Sequence, residues 1–247
     1  MPHMKIKRDK KPAVRVSARP RRRKGKVSAV IVAAGSSTRM GSDKLAAVFC
    51  GNTVIGHTLQ ALQASPDVDE LVLVVRKGYE KPALEGASGC DKLQRIVTGG
   101  STRMESAYQG VMACDPAAEI ILIHDGARPL VTEKVIRSAV EGARAYGAAV
   151  PVTPVTDTIK VGKGGFADST PDRETLFAAQ TPQAFRAELI KAALKDALDR
   201  GLNLTDDCAA VERLGMRVRL VEGDGRNRKI TRPEDLRIAE ALWEENP

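Results

Sequence analysis

Two cations at the edge of a run of small residues make Ala33 to Lys44, AAGSSTRMGSDK, the segment of this chain best suited to hold phosphate. It follows directly on the apolar run Val27 to Val32, so it reads as the turn that ends a buried strand. Ala33, Ala34, Gly35, Ser36 and Ser37 let backbone N–H groups come close to an anion, and Arg39 and Lys44 add charge on its far side. That suits a nucleoside triphosphate. The spacing is neither GxxxxGK[ST] nor GxGxxG, and on these residues alone an ordinary strand-to-helix connection with two solvated charges stays open.

Comparable groups recur along the chain: Gly99, Gly100, Ser101, Arg103 and Ser106, then His124, Asp125 and Arg128, then Asp157, Thr158 and Lys160, and last Arg226, Arg228 and Lys229. Cations are plentiful and general bases scarce. With three histidines and neither a Ser/His/Asp nor an HExxH pattern, hydrolysis through an activated nucleophile is disfavoured. Attack by a phosphate monoester on the α-phosphate of a nucleotide fits better, because that nucleophile is already ionised at neutral pH. At an effective dielectric near 20, one cation about 4 Å from a phosphate oxygen contributes about 4 kcal/mol, roughly a thousandfold if felt only in the transition state. Pyrophosphate would leave, with Mg2+ on the phosphate oxygens as the usual helper.

The elements that must position these groups follow a βαβα rhythm. Strands are expected at Val27 to Val32, Leu71 to Val75, Gln94 to Val97, Glu119 to Ile123, Ala148 to Val152 and Arg217 to Val221. Helices are expected at Thr53 to Ala64, Ser101 to Cys114 with Ser101 as N-cap, and Val131 to Tyr146 with Thr132 as cap. Further helices follow at Arg186 to Asp199, Asp206 to Leu214 capped by Thr205, and Pro233 to Glu244. The fold class is α/β: a Rossmann-like, doubly wound, mostly parallel sheet with helices on both faces and ligands at the carboxyl ends of its strands. Pro154 to Gln180 breaks the rhythm and reads as a projecting β-arm, with Thr156, Thr158 and Ile159 extended, a VGKGGF turn, and Thr175 to Ala178 pairing back. An arm with few neighbours of its own calls for a partner, most simply a second copy of the chain.

The chain has 247 residues, 43% hydrophobic and 28% charged, enough for one large domain with a sizeable core. Its formal charge of +8 is misleading, because residues 1–26 carry twelve Lys or Arg against the single Asp9; without that +11 the remainder stands at −3. Residues 1–26 read as a disordered basic extension, with an organellar transit peptide as another reading, and residues 27–247 as one mildly acidic domain for which nucleic acid is an unlikely partner. Cys50, Cys90, Cys114 and Cys208 are widely spaced and read as reduced thiols of a cytoplasmic protein. No apolar stretch approaches the length of a membrane span.

Seven segments together carry a specific resemblance: AAGSSTRMGSDK, TGGSTRMES (Thr98 to Ser106), HDGARP (His124 to Pro129), TPVTDTIK (Thr153 to Lys160), QTPQAF (Gln180 to Phe185), LTDD (Leu204 to Asp207) and KITRPEDL (Lys229 to Leu236). In this order they resemble the 2-C-methyl-D-erythritol 4-phosphate cytidylyltransferases over nearly everything from Val27 onward. The resemblance implies transfer of CMP from CTP to methylerythritol phosphate in the non-mevalonate isoprenoid pathway, with Mg2+, in a homodimer built through the arm. It implies that Arg39 and Lys44, with Lys229, are catalytic, and that Ala33, Ala34, Gly35, Ser36, Gly100, Ser101, Ser106 and Asp125 bind the nucleotide. Asp125, Arg128, Thr205 and Lys229 would bind the acceptor, joined by Thr158 and Arg173 from the partner's arm.

Three residues depart from the family pattern. Ser37 stands where a second glycine is frequent, Ser101 where an acidic residue is common, and Arg228 where an apolar residue is usual. A ribitol 5-phosphate cytidylyltransferase, with much the same motifs, differs in the acceptor pocket alone. From another class, a nucleic-acid-binding protein would use the basic extension. His124 reads as a packed, hydrogen-bonded residue and not a catalyst.

Overall fold

The run ELVLVV at Glu70–Val75 is buried at every position, the mark of a strand covered by helices on both faces. A computed structural model of the chain describes residues 25–35, 43–79, 87 and 89–245. The expected extension up to residue 24, and Ser36, Ser37 and Arg39, lie outside the described residues. In chain order the first half comprises β1 (Lys26–Ala33), β2 (Val48–Phe49), β3 (Asn52–Thr53), α1 (Val54–Ala64), β4 (Glu70–Val75), β5 (Leu93–Thr98), α2 (Arg103–Ala113) and β6 (Ala118–Asp125). There follow α3 (Glu133–Tyr146), β7 (Ala148–Pro154), β8 (Val161–Lys163), β9 (Phe166–Ser169), β10 (Phe177–Ala179), β11 (Gln183–Arg186), α4 (Ala187–Asp199), α5 (Asp207–Arg213), β12 (Arg219–Glu222) and α6 (Pro233–Glu244).

β1 lies at the centre, parallel to β4 on one side and β6 on the other, and β5 extends the sheet beyond β4. One strand that the sequence reading missed completes it: β11 inserts antiparallel between β6 and β7. β10 continues along the same edge of β7, and β12 runs parallel on the other edge. The sheet is therefore mixed, though most of its pairings are parallel. One apolar layer joins its face to α1, α3 and α6 through Leu59, Leu62, Ile136, Val140 and Ala239, and a second joins the opposite face to α2, α4 and α5 through Ala107, Val111, Ile190, Leu194 and Val211.

Capping differs from expectation at two helices. Thr102, not Ser101, caps α2 by accepting from Glu105 N, while Ser101 donates from both N and Oγ to the Glu105 carboxylate. Asp206, not Thr205, caps α5 by accepting from Ala209 N at 3.0 Å; a carboxylate at the positive end of the helix outcompetes a hydroxyl. Thr132 does occupy the N-cap of α3, without a side-chain bond. The arm also differs in detail. β8 and β9 form its hairpin around Gly164 and Gly165, both at positive φ as a tight turn requires, and β10 pairs with β7 at the arm's base and not with Thr156 to Ile159.

A candidate nucleotide and phosphate cleft

A cleft of about 410 Å3 opens where β1, β5 and β6 end, within the range of small-molecule sites. Ala33, Ala34 and Gly35 form one wall as the chain leaves β1, and Gly100, Ser101 and Ser106 form another at the start of α2. Small side chains on both walls leave the backbone open to a ligand. Ser106 is itself tied down, its Oγ donating to Thr102 O at 2.8 Å.

Lys44 lines the cleft from the turn that follows β1. Its neighbour Asp43 anchors that turn to the end of β4, pairing with Arg76 at 2.7 Å and accepting from Leu45 N at 3.1 Å. Although burial pushes the Asp43 carboxyl up, the Tyr79 hydroxyl, the Leu45 N–H and Arg76 hold it below the usual carboxylate range.

Lys229 joins the lining from the loop before α6. Two bonds bracket it: Arg128 Nη1 donates to Asn227 O at 2.7 Å, and Ile230 N donates to Ala127 O at 2.8 Å. Asn227 is fully buried and in turn donates to Gln180 Oε1 and Thr181 O. The loop thus has a fixed base, and the Lys229 ammonium reaches Asp125 Oδ2 at 2.8 Å.

Among the described residues lining the cleft, Asp125 is the one carboxylate. Three cations face it: Lys229 at 2.8 Å, Arg103 at 3.3 Å and Arg128 at 3.8 Å. Against the upward push of burial, Lys229 and Arg103 hold its carboxyl far below the usual range, so it stays ionised and cannot serve as an acid. His124 is completely buried, with its ring nitrogens on Thr181 Oγ1 and Arg128 O, and burial lowers its pKa to about 4. It is the packed residue that its sequence context suggests.

The remaining expected site residues fall elsewhere. Arg128 lies behind the cleft wall, its side chain only 12% exposed, and burial lowers its pKa. Thr158 and Arg173 are exposed on the arm, where Arg173 donates to Thr156 O at 3.0 Å, and Thr205 is exposed just before α5. None of these lines the cleft within one chain. The structure adds Thr102, Thr231 and Arg103 to the wall; of these, Arg103 alone had a sequence signal, as a cation in the first turn after Gly99–Gly100.

A resident magnesium would need a set of hard oxygen donors. Among the described residues no three His, Cys, Asp or Glu side chains gather as such a set, and Asp125 is already engaged by cations. Among the described residues, then, the cleft offers no cage of its own for magnesium.

The model of the 2-C-methyl-D-erythritol 4-phosphate cytidylyltransferase family matches residues 27–245. The chain belongs to this family. It is an enzyme, a nucleotidyltransferase with the Rossmann-like fold of other cytidylyltransferases of the family. It is 44% identical over 220 residues to the 2-C-methyl-D-erythritol 4-phosphate cytidylyltransferase of Caldanaerobacter subterraneus, covering 87% of this chain and 97% of that one. It is 43% identical over 224 residues to the enzyme of the same name from Desulforamulus reducens, covering 88% and 96%. Among solved structures it is similar to the 4-diphosphocytidyl-2C-methyl-D-erythritol synthase of Anaerococcus prevotii, at a TM-score of 0.80 and 33% identity over 89% of this chain and 99% of that one. The cytidylyltransferase of Thermus thermophilus gives a TM-score of 0.76 at 35% identity, over 89% and 99%.

Proposed function

We propose that this chain transfers CMP from CTP to 2-C-methyl-D-erythritol 4-phosphate, giving 4-diphosphocytidyl-2-C-methyl-D-erythritol and pyrophosphate in isoprenoid precursor synthesis. The observation that carries this reading is the convergence of Lys44 and Lys229, from loops far apart in the chain, on one small-residue cleft whose carboxylate is already held by cations. Such a site neutralises phosphate, and among the described residues lining it no group is poised to remove a proton, which suits a pre-ionised phosphate nucleophile. An acceptor phosphate oxygen forms a bond to the CTP α-phosphorus, the bond from that phosphorus to the oxygen bridging to the β-phosphate breaks, and pyrophosphate carries the electron pair away. Positioning and charge do the work.

In this reading Ala33, Ala34, Gly35, Gly100 and Ser106 hold cytosine and ribose, Ser36 and Ser101 lie beside the nucleotide, and Arg39 and Lys44 face the α-phosphate. Lys229 and Thr205 meet the acceptor phosphate, Asp125 lies between nucleotide and polyol and holds Lys229, and Arg128 holds the Lys229 loop. Magnesium arrives on the triphosphate as part of the nucleotide substrate. Thr158 and Arg173 reach a second subunit's acceptor through a homodimer, a reading supported by apolar side chains left uncovered on the arm: Phe166, next to the hairpin turn, is 81% exposed, and Val161 on the paired strand is exposed too. The protein works in the cytoplasm; among the described residues no helix is long and apolar enough to cross a membrane.

The test is pyrophosphate release by the purified chain from CTP with each acceptor. Methylerythritol phosphate is expected to be the substrate. Faster turnover with ribitol 5-phosphate overturns the acceptor, and no release with either overturns the reaction. RNA binding that is lost with residues 1–26, in a chain inactive with both acceptors, favours the nucleic-acid reading instead.

A further inference from the structure

Arg103 lines the cleft, yet its guanidinium is engaged by two carboxylates. Nη2 lies 2.9 Å from Asp207 Oδ2 and 3.3 Å from Asp125 Oδ1, and Nε lies 3.4 Å from the same Asp125 oxygen. The Asp125 carboxylate is thereby divided: Oδ1 faces Arg103, while Oδ2 faces Lys229. Asp207, behind Arg103, is 1% exposed; its Oδ2 pairs with the Arg103 guanidinium at 2.9 Å, and among the described residues neither of its carboxylate oxygens has another partner.

A buried charge with one counter-ion is expensive to keep, and local structure gives no reason to keep this one. Helix α5 takes its cap from Asp206, and the Asp207 backbone N–H is satisfied by Gln183 Oε1. The side chain faces Arg103 and, through it, the cleft.

We infer that Asp207 is a positioning residue for the transfer step: through Arg103 it fixes the rotation of the Asp125 carboxylate, and with it the place of the Lys229 ammonium. The inference rests on the reading of Lys229 as the cation that meets the acceptor phosphate. A planar guanidinium can face two carboxylates at once, and Asp207 holds it the closer. The contact with Asp125 is left long, and Oδ2 remains with Lys229. With Asp207 uncharged, the fork closes on Asp125 through both oxygens and displaces Lys229. The wall from Ala33 to Gly35 belongs to a different element and keeps its place.

The experiment uses the full-length chain with CTP and methylerythritol phosphate. Asp207→Asn is expected to lower kcat about tenfold while KM for CTP changes less than about threefold. In an Arg103→Met background, where no fork is left to misplace, the same substitution is expected to leave kcat within about twofold of Arg103→Met alone. A folded Asp207→Asn protein with wild-type kcat overturns the inference, as do losses that multiply in the double variant. Should Asp207→Asn alone fail to fold by circular dichroism, the double variant, with both charges of the buried pair removed, decides by the same comparison with Arg103→Met. A wild-type chain that releases no pyrophosphate overturns the reading of the site, a result distinct from normal turnover that is indifferent to Asp207.

Discussion

The Lys229 ammonium stands 2.8 Å from Asp125 Oδ2, although the two residues lie 104 positions apart in the chain. The contact serves two purposes. It keeps a carboxylate ionised inside the cleft, and it holds a lysine in place before any phosphate arrives, so little reorganisation is left for the reaction itself.

Lys44→Ala and Lys229→Ala are each expected to lower kcat by about two to three orders of magnitude, the cost of removing one preorganised charge from beside the reacting phosphate. Steady-state kinetics with both substrates saturating checks this. A variant that keeps its turnover removes that lysine from the proposed machinery.

Arg173→Ala chains and Lys229→Ala chains, each inactive alone, are expected to recover activity when mixed and refolded together, because a hybrid dimer carries one site with neither defect. Up to about a quarter of wild-type activity should return if subunits pair at random. Hybrids that form, as judged by differential tagging, yet stay inactive would count against an arm shared between subunits.

Stability should fall as pH drops from about 6.5 towards 4, in part through His124. Burial lowers its pKa from 6.5 to about 4, so between those values the unfolded chain binds a proton that the folded chain refuses. The contribution is full above the unfolded value, is lost as pH falls through the window, and amounts to about 3 kcal/mol at most. Urea unfolding across this range should show a shallower slope for His124→Gln. An unchanged slope would mean that the imidazole is not held neutral.

Gly110→Ala inverts the usual rule for a helix interior. Alanine normally gains about 1 kcal/mol over glycine in a helix. Here α2 lies so close to the sheet that a Cβ would overlap the methyls of Val30 and Val74. Overpacking of this kind costs about 1–3 kcal/mol, so net destabilisation is expected in a thermal or denaturant melt. A stabilised variant would show that α2 can lift off the sheet at little cost.

The strands and helices that carry their own signal were legible without coordinates. The buried run in β4, the extent of α1 to within one residue and the bounds of α6, with Pro233 in its first turn, all follow from local chemistry. β11 was not, because Gln183–Arg186 is four residues long and merges into the helical pattern of α4; only the gap between β6 and β7 makes it a strand. The caps at Thr102 and Asp206 were each displaced by one position, because neighbouring Ser, Thr and Asp compete and carboxylate reach decides. Of the candidate site, the small-residue walls, Lys44, Asp125 and Lys229 could be read from their places at strand ends. Asp207 could not, since in sequence it is one more acid in a first helical turn; its meaning comes from tertiary packing against Arg103.

The hydrogen bond from Ile230 N to Ala127 O, which seats the Lys229 loop beside β6, makes the cleft a joint product of the two ends of the chain. Ala33 to Gly35 are among the first residues of the domain to leave the ribosome, and Lys229 is among the last. No contiguous fragment shorter than almost the whole domain contains both walls. Truncation that reaches Ala33 from one side or Lys229 from the other therefore dismantles the site as a unit.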